Sequence, residues 1–492
     1  MPIVKLNSKN LLQLNKNISV PSYSRNGLVP SIIHIGMGNF HKAHQAAYLD
    51  MLLEKKLTGM GIYGINLLPD SWDMETILRE QDYLYTLITK SPMGEEKLRI
   101  CGSVISYMNA AGKTEEVIKL MGDKTTKLIT LTVTEGGYYY DRISREINSN
   151  HPAILEDLKN PAKPKTPAAS IAAALALRYK DNKQPLTIMS CDNVNQNGRV
   201  LGNCVRFFLK ELYPETLGWA EDNVSFPSSM VDRITPAAGG ELTKELEEKY
   251  AIGDNWPVCA EDYTQWVLED DFKSEIPPYE DAGVQIVKDV GAYELMKMRL
   301  LNGSHSALAY PSYLMGLNMV DQGINDPLIK KFIRNFYMEE AAATLPPVPG
   351  IDIEKYKDTL INRFSNTNIA DTIARLCARG TEKVPSFIAK TLIDAIRQGT
   401  GSNSLIFSLA AWARYLEGKD EDGNEIKITD PNSELLEHLK NTARNKPEAF
   451  LSGIGLDELE KTQLEKITAE FKAYLDNIYA KGIKRALEEI TA

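Results

Sequence analysis

The chain has 492 residues, 43% of them apolar and 25% charged. That length exceeds one ordinary core, so two domains or more are expected of a globular protein. The net charge of −10 lacks the basic surface that nucleic-acid phosphates require, so no nucleic-acid partner is expected.

Residues 1–30 are polar and turn-rich, with Pro21 and Pro30. Ser31–Ile35 is a short apolar run that enters a glycine pair and reads as a buried strand. Beyond the glycines, Ala43, Ala46, Ala47, Tyr48, Met51 and Leu52 recur at helical spacing. Gly61–Leu67, Tyr83–Thr89 and the span 98–107 read as further strands, and an amphipathic helix follows near Glu115–Met121. Lys127–Val133 is strongly β-type. Residues 151–167, with Pro152, Pro161, Pro164 and Pro167, read as a loop. Ala168–Tyr179 is an alanine-rich helix and Leu186–Cys191 another buried strand. Strands alternating with helices imply a parallel sheet with helical crossovers, an α/β fold. Near Asp289 the character changes: helical spacing dominates and β-type runs almost vanish. The expected division is an α/β domain over residues 1–286 and a mainly α-helical one over 287–492.

The five cysteines, Cys101, Cys191, Cys204, Cys259 and Cys377, are scattered without any CxxC spacing. A reduced, cytoplasmic compartment is the simplest expectation. No stretch approaches the ~20 apolar residues of a membrane span, so no membrane partner is expected.

Gly36-Met-Gly38-Asn-Phe-His41 lies between a predicted strand and a predicted helix. The first glycine permits a tight turn. The second lets the backbone approach a pyrophosphate, whose charge meets the helix N-terminus. The third glycine of a dinucleotide fingerprint is replaced by His41. Asp70, after Gly64–Pro69, is placed to end the second strand, where a carboxylate accepts hydrogen bonds from ribose hydroxyls and repels a 2′-phosphate. It stands 34 residues (70 minus 36) beyond Gly36, against the usual spacing of about 20. A turn aspartate following proline is the alternative. His41 and His44 form the only close histidine pair; without an evident third ligand, no metal is expected.

Lys297-Met-Arg-Leu-Leu-Asn302-Gly-Ser-His305 carries a base, an amide and an imidazole on one predicted helix. At about 100° per residue, Asn302 lies about 140° and His305 about 80° around the axis from Lys297, so all three can face one cleft. Apolar residues flank them on both sides. A lysine held there loses solvation of its ammonium form and becomes a general base near neutral pH. A snorkelling surface lysine beside a satisfied histidine is the plainer alternative. Glu294, three residues before Lys297, shares its helix face.

These segments together resemble one family, the polyol-specific long-chain dehydrogenases and reductases. The resemblance runs in order from about residue 30 to about residue 400. It rests on Ile35–His44, Gln81–Thr86, Thr132–Tyr138, Ser190-Cys-Asp-Asn193, Phe226–Pro236 and the Lys297/Asn302/His305 triplet. Lys42 stands where the family more often has arginine. The resemblance implies a Rossmann-type N-terminal domain and a helical C-terminal domain. It implies Lys297 as base, Asn193 and Asn302 as oxyanion donors, and His305 as the catalytic histidine. It places Gly36, Gly38, Asn39, Phe40 and Asp70 at NAD, and Asp232, Arg375 and Lys383 at the substrate. Glu135 and Glu294 are candidate proton relays.

The implied reaction is metal-independent interconversion of a polyol and a ketose, D-mannitol and D-fructose in the subgroup most resembled, with NAD as hydride acceptor. A hexuronate reductase is the alternative within enzymes, and a non-catalytic dinucleotide-binding protein the alternative outside them. The intact base with two oxyanion donors favours an enzyme. The resemblance implies a monomer or a small homo-oligomer.

Overall fold

The computed structural model describes residues 2–69, 73–141, 146–236 and 240–492. It comprises two compact units, Met1–Gly291 and Ala292–Ala492.

The first unit is built on a six-stranded sheet. Its strands, numbered along the chain, are β1 (Val29–Ile35), β2 (Met60–Asn66), β3 (Val104–Asn109), β4 (Leu128–Leu131), β5 (Leu186–Ser190) and β6 (Val224–Ser225). Their spatial order is 3-2-1-4-5-6, and every pairing is parallel. This is the dinucleotide-binding order, whose direction reverses between β1 and β4.

A parallel sheet must cover both faces, which is why its strands are nearly continuous apolar runs. Ile33 and Ile35 of β1 pack on one face with Ile129, Leu131 and Ile188. Helices α3 (Thr114–Gly122), α4 (Pro167–Asp181) and α5 (Asn197–Leu212) cover that side through Val117, Met121, Leu175, Val200 and Phe208. The opposite face joins Ile32, Ile62, Leu128 and Met189 to Ala46, Leu49 and Leu52 of α2 (Gln45–Glu54). Trp266 and Leu268 complete that second layer. Each such fully buried side chain contributes roughly 1.5–3 kcal/mol relative to exposure.

Three smaller sheets lie beyond the main one. They join Ser229–Asp232, Gln265–Glu269 and Gln285–Val287; Val258–Glu261, Tyr85–Lys90 and Glu96–Cys101; and Val4–Lys5 with Ile252–Gly253. The run expected at Tyr83–Thr89 is therefore a strand outside the crossover sheet, since an apolar run does not say which sheet receives it. The expected loop at 151–167 contains a helix, Pro152–Lys159. Pro152 occupies its first turn, where the missing N–H costs nothing, so the proline there starts a helix.

The second unit is helical. Helix α8 (Asn403–Tyr415) is buried at every position except Asn403 and packs against α6 (Gly303–Leu314) and α9 (Lys461–Lys481). A helix apolar nearly all round belongs inside a bundle. The Lys/Glu-rich tail is two helices, α9 and Ile483–Ile490, parted at Gly482 with φ of 82°. No helix of the described residues is long and apolar enough to cross a membrane.

Gly36 has φ of 91°, and a Cβ there would meet the Thr132 carbonyl oxygen at 2.2 Å. Gly38 has φ of −120°, and a Cβ there would meet nothing nearer than the Gly36 carbonyl oxygen at 4.0 Å. Gly36→Ala should therefore lose about 2–4 kcal/mol of stability and Gly38→Ala less than about 1 kcal/mol. Urea unfolding of the two variants separates them; equal losses would contradict this account of the turn.

Candidate active site

Candidate site residues occur in each unit. In the first, they lie at the carboxyl ends of β1, β4 and β5, where open parallel sheets bind ligands. The Gly36 N–H donates to the Ile65 carbonyl at 2.8 Å, and the Thr132 hydroxyl donates to the Gly36 carbonyl at 2.8 Å. The turn is thus tied to β2 on one side and to the end of β4 on the other. Gly38 is exposed at the head of α1 (Asn39–Ala43), with Asn39 and Phe40 half-buried beside it. The space around Gly38 that a side chain would fill is open, which suits the approach of a pyrophosphate. Asp70 lies outside the described residues.

His41, in place of the third glycine, is fully buried and stacks on His34 of β1 with ring centroids 3.4 Å apart. The His34 ring is held by the hydroxyls of Thr130 and Thr132 at 2.7 and 2.9 Å. Burial pushes His34 down to about 3 and His41 well below the ordinary imidazole range, so both rings are neutral. The His44 Nε2 meets the Gln265 carbonyl at 2.9 Å, and its ring packs on Phe40, Tyr48 and Trp266. These histidines build the floor of the turn. Among the described residues, no three His, Cys, Asp or Glu side chains are grouped to hold a metal ion.

The ends of β4 and β5 are joined by Asp192, a residue the sequence reading passed over beside Asn193. Its carboxylate accepts the Val133 and Thr134 N–H groups at 3.0 and 2.8 Å and the Tyr138 hydroxyl at 2.6 Å. Asn193 is exposed immediately after it. Glu135 opens a short 3-10 turn and accepts the Tyr140 hydroxyl at 3.0 Å. Asp232 is buried at the end of the Ser229–Asp232 strand, opposite Gln265.

In the second unit, Lys297–Asn302 forms a π-helix between the α-helical turns Gly291–Met296 and α6. The Gly303 N–H donates to the Met298 carbonyl, five residues back. An i→i+5 bond places residue i+5 about one full turn beyond residue i. The 140° separation expected between Lys297 and Asn302 therefore narrows, which turns the two toward one side of the segment. The helical wheel missed this because it assumes a uniform α rise. Gly303 closes the wide turn against a tight neighbour: a Cβ there would lie 2.2 Å from the Tyr337 hydroxyl.

Lys297 and Glu294 are both buried on this segment. The Asn302 Nδ2 and His305 Nε2 atoms are shielded from solvent and have no hydrogen-bond partner. Buried polar atoms are almost always paired, so these two, one turn apart, have hydrogen-bonding capacity left for a ligand. The His305 ring lies against Phe364 at 4.3 Å. Burial pushes His305 down to about 3; Asp371 opposes this, while Arg375, Arg363 and Lys383 reinforce it.

Arg375 is held by Asp371 through paired contacts from Nε and Nη2 at 2.5 Å. Lys383 donates to the carbonyls of Arg375 and Leu376 at 3.3 and 3.1 Å. Burial first, then the Arg375 charge, push the Lys383 ammonium down to about 8. His305, Arg375 and Lys383 are thus brought into one neighbourhood with Arg363 and Asp371. Of these last two, Asp371 was readable from its i,i+4 spacing to Arg375. Arg363, buried on α7 (Ile353–Phe364), had no signal.

A separate cavity of about 730 Å³, lined by Val29, Leu57, Lys124, Lys127, Glu275 and Pro278 among others, opens at the amino ends of β1, β2 and β4. That is the opposite end of the sheet from the glycine turn.

Two family models cover the chain: the mannitol dehydrogenase Rossmann domain over residues 30–281 and the mannitol dehydrogenase C-terminal domain over 289–479. The chain belongs to the mannitol dehydrogenase family. It is 39% identical over 498 residues to a mannitol 2-dehydrogenase of Aspergillus fumigatus, covering 99% of each. It is 38% identical over 488 residues to mannitol dehydrogenase 2 of Saccharomyces cerevisiae, covering 99% of this chain and 97% of that one. Among solved structures, it matches a Pseudomonas fluorescens mannitol 2-dehydrogenase in ternary complex with NAD and D-mannitol. The TM-score is 0.89, with 36% identity and 99% of both chains covered. A D-sorbitol dehydrogenase in substrate-free form matches with a TM-score of 0.87 and 32% identity, covering 98% of this chain and 100% of that one.

A base whose folded pKa is lowered stabilises the fold above its unfolded value of 6.5, and that contribution is lost as pH falls from 6.5 towards 3, because the unfolded chain takes up the proton first. Between pH 7 and pH 4, the His305→Gln variant should therefore lose less stability than the wild type, by about 1–2 kcal/mol once the ring's partial exposure is discounted. Urea midpoints at the two pH values test this; equal losses would mean that His305 titrates normally.

Proposed function

We propose that this chain is an NAD-dependent, metal-independent polyol dehydrogenase that interconverts D-mannitol and D-fructose, with Lys297 as general base. The observation that carries this is the π-turn, which holds a buried lysine and an asparagine whose Nδ2 lacks a partner. Full-length similarity to mannitol 2-dehydrogenases supports the choice of substrate.

The exposed backbone at Gly38 and the switch point between β1 and β4 fit a dinucleotide, with Gly36, Gly38, Asn39 and Phe40 along the pyrophosphate and Asp70 on the adenosine ribose. Bound NAD supplies the hydride acceptor. Neutral Lys297 takes the hydroxyl proton as the C–H bond breaks. Asn302 and Asn193 donate amide N–H bonds to the oxygen on which charge develops, each worth about 3 kcal/mol. The orphaned His305 Nε2 bonds a neighbouring substrate hydroxyl. Asp232, Arg375 and Lys383 bind the remaining hydroxyls. Glu294, one turn before Lys297, and Glu135 pass the proton towards solvent.

The cations around His305 also suit a carboxylate, which is the specific support for a hexuronate reductase. Kinetics on mannitol, arabinitol, sorbitol, fructose and fructuronate, with a chelator present throughout, decide between the two. Mannitol and fructose should give the highest kcat/KM, unaffected by the chelator.

Lys297→Ala should lower kcat at least 10³-fold with NAD binding intact, and small primary amines should restore part of the rate. Oxidation needs Lys297 neutral and reduction needs it charged. The wild-type kcat/KM profiles should accordingly rise with pH for mannitol and fall for fructose. Parallel profiles, or a variant retaining most of its rate, would remove Lys297 from the proton transfer.

A further inference from the structure

Asp192 is buried, and among the described residues no cation pairs with it. Burial raises its carboxyl to about 6, against the opposing pull of its three donors, Tyr138, Val133 and Thr134. A carboxylate placed without a counter-ion is costly, and its compensation is the set of hydrogen bonds it accepts. Two of those come from consecutive backbone N–H groups just past β4.

The second of them belongs to Thr134, whose φ of 61° and ψ of 165° fall in a region that is essentially glycine-only and costs of order 1–3 kcal/mol for other residues. Such strain persists only where the surroundings over-determine it. The Asp192 Oδ1 atom, 2.8 Å from the Thr134 nitrogen, holds the strained residue directly. The Tyr138 hydroxyl closes the loop by meeting both the carboxylate and the Ser190 hydroxyl, each at 2.6 Å. On the other side, the Asp192 carbonyl accepts the Asn197 side chain at 2.9 Å, and that asparagine is bound to Ser229. One side chain thereby locks the end of β4 to the end of β5, one residue before Asn193 and, at Thr134, one residue before Glu135.

We propose that Asp192 is a positioning residue that acts through Asn193: its carboxylate fixes the β4 and β5 ends in the geometry that aims the Asn193 amide at the reacting oxygen. This rests on the reading of Asn193 as an oxyanion donor. Asp192→Asn keeps the volume but turns an amide N–H against a backbone N–H, so one strap opens.

The test is a double-mutant cycle on mannitol oxidation. Asn193→Ala should lose about 10²-fold in kcat. Asp192→Asn should lose about 10- to 100-fold with KM for mannitol changed less than about 3-fold. The double variant should be no slower than Asn193→Ala alone, because one donor cannot be misplaced after it is removed. Adding Thr134→Gly to Asp192→Asn should recover part of the rate, since glycine adopts the positive φ without help. Tyr138→Phe, which removes a single strap, should show a smaller loss of about 3- to 10-fold with the same non-additivity. It carries the test if Asp192→Asn fails to fold. Asn193→Ala at the wild-type rate overturns the oxyanion reading and the clamp with it. A slow Asn193→Ala beside an unimpaired Asp192→Asn and Tyr138→Phe overturns the clamp alone. So does a double variant whose loss is the product of the single losses.

Discussion

The backbone bond from the Gly303 N–H to the Met298 carbonyl is the constraint on which the candidate residues of the helical unit depend. It exists because the helix is wound five residues to the bond there instead of four. A regular α-helix would leave Lys297 and Asn302 well apart around the axis and would give Asn302 an ordinary place on the wall of α6. The wide turn instead brings the two nearer one side of the segment. π-turns are rare and their geometry is poorer than that of the α-helix, so one that survives needs support from its neighbours. Here the support is steric: the bare Gly303 backbone lies against the Tyr337 ring, close enough that any side chain would collide with the hydroxyl. Tyr337 itself ends a second π-segment, Ile333–Tyr337.

The sheet half obeys a different logic. Its strands are rigid because both faces are buried, and the loops at their carboxyl ends inherit that rigidity only where they are tied down. The glycine turn is tied to β2 and to Thr132, the β4 end to Asp192, and the β5 end to Asn197 and Ser229. The neutral, stacked pair His34 and His41 fills the place where a third glycine would let helix and strand approach. The departure from the dinucleotide fingerprint is therefore a packing solution, in which flat rings replace close backbone contact.

Much of this was legible in the sequence. The run Ser31–Ile35 followed by Gly36-Met-Gly38 announced a strand, a tight turn and a helix, and the loss of β-type runs near Asp289 announced a helical half. The strands between Ser229 and Val287 were not legible, because they are short and sit in small sheets whose partners are distant in sequence. Pro152 concealed a helix, since proline opens helices as well as ending them. Within the site, the triplet Lys297, Asn302 and His305 was readable as residue types, while their true register was not: the π-turn packs Gly303 against Tyr337, 34 residues on (337 minus 303), a contact that the local pattern does not carry. Asp192 escaped notice for a similar reason, because its partners are backbone N–H groups, which every sequence has.

The dependence of the site on the π-turn can be measured by forcing the turn to change and then making room again. Gly303→Ala places a methyl group 2.2 Å from the Tyr337 hydroxyl and 3.2 Å from the ring carbon bearing it. Adding Tyr337→Phe removes the hydroxyl and leaves a tight but tolerable contact. Steady-state mannitol oxidation by the two enzymes, with unfolding temperatures recorded beside it, should show kcat reduced about 10²-fold or more in Gly303→Ala and restored to within about 10-fold of wild type in the double variant. A Gly303→Ala enzyme of normal kcat, or a stably folded double variant that stays inactive, would contradict the account.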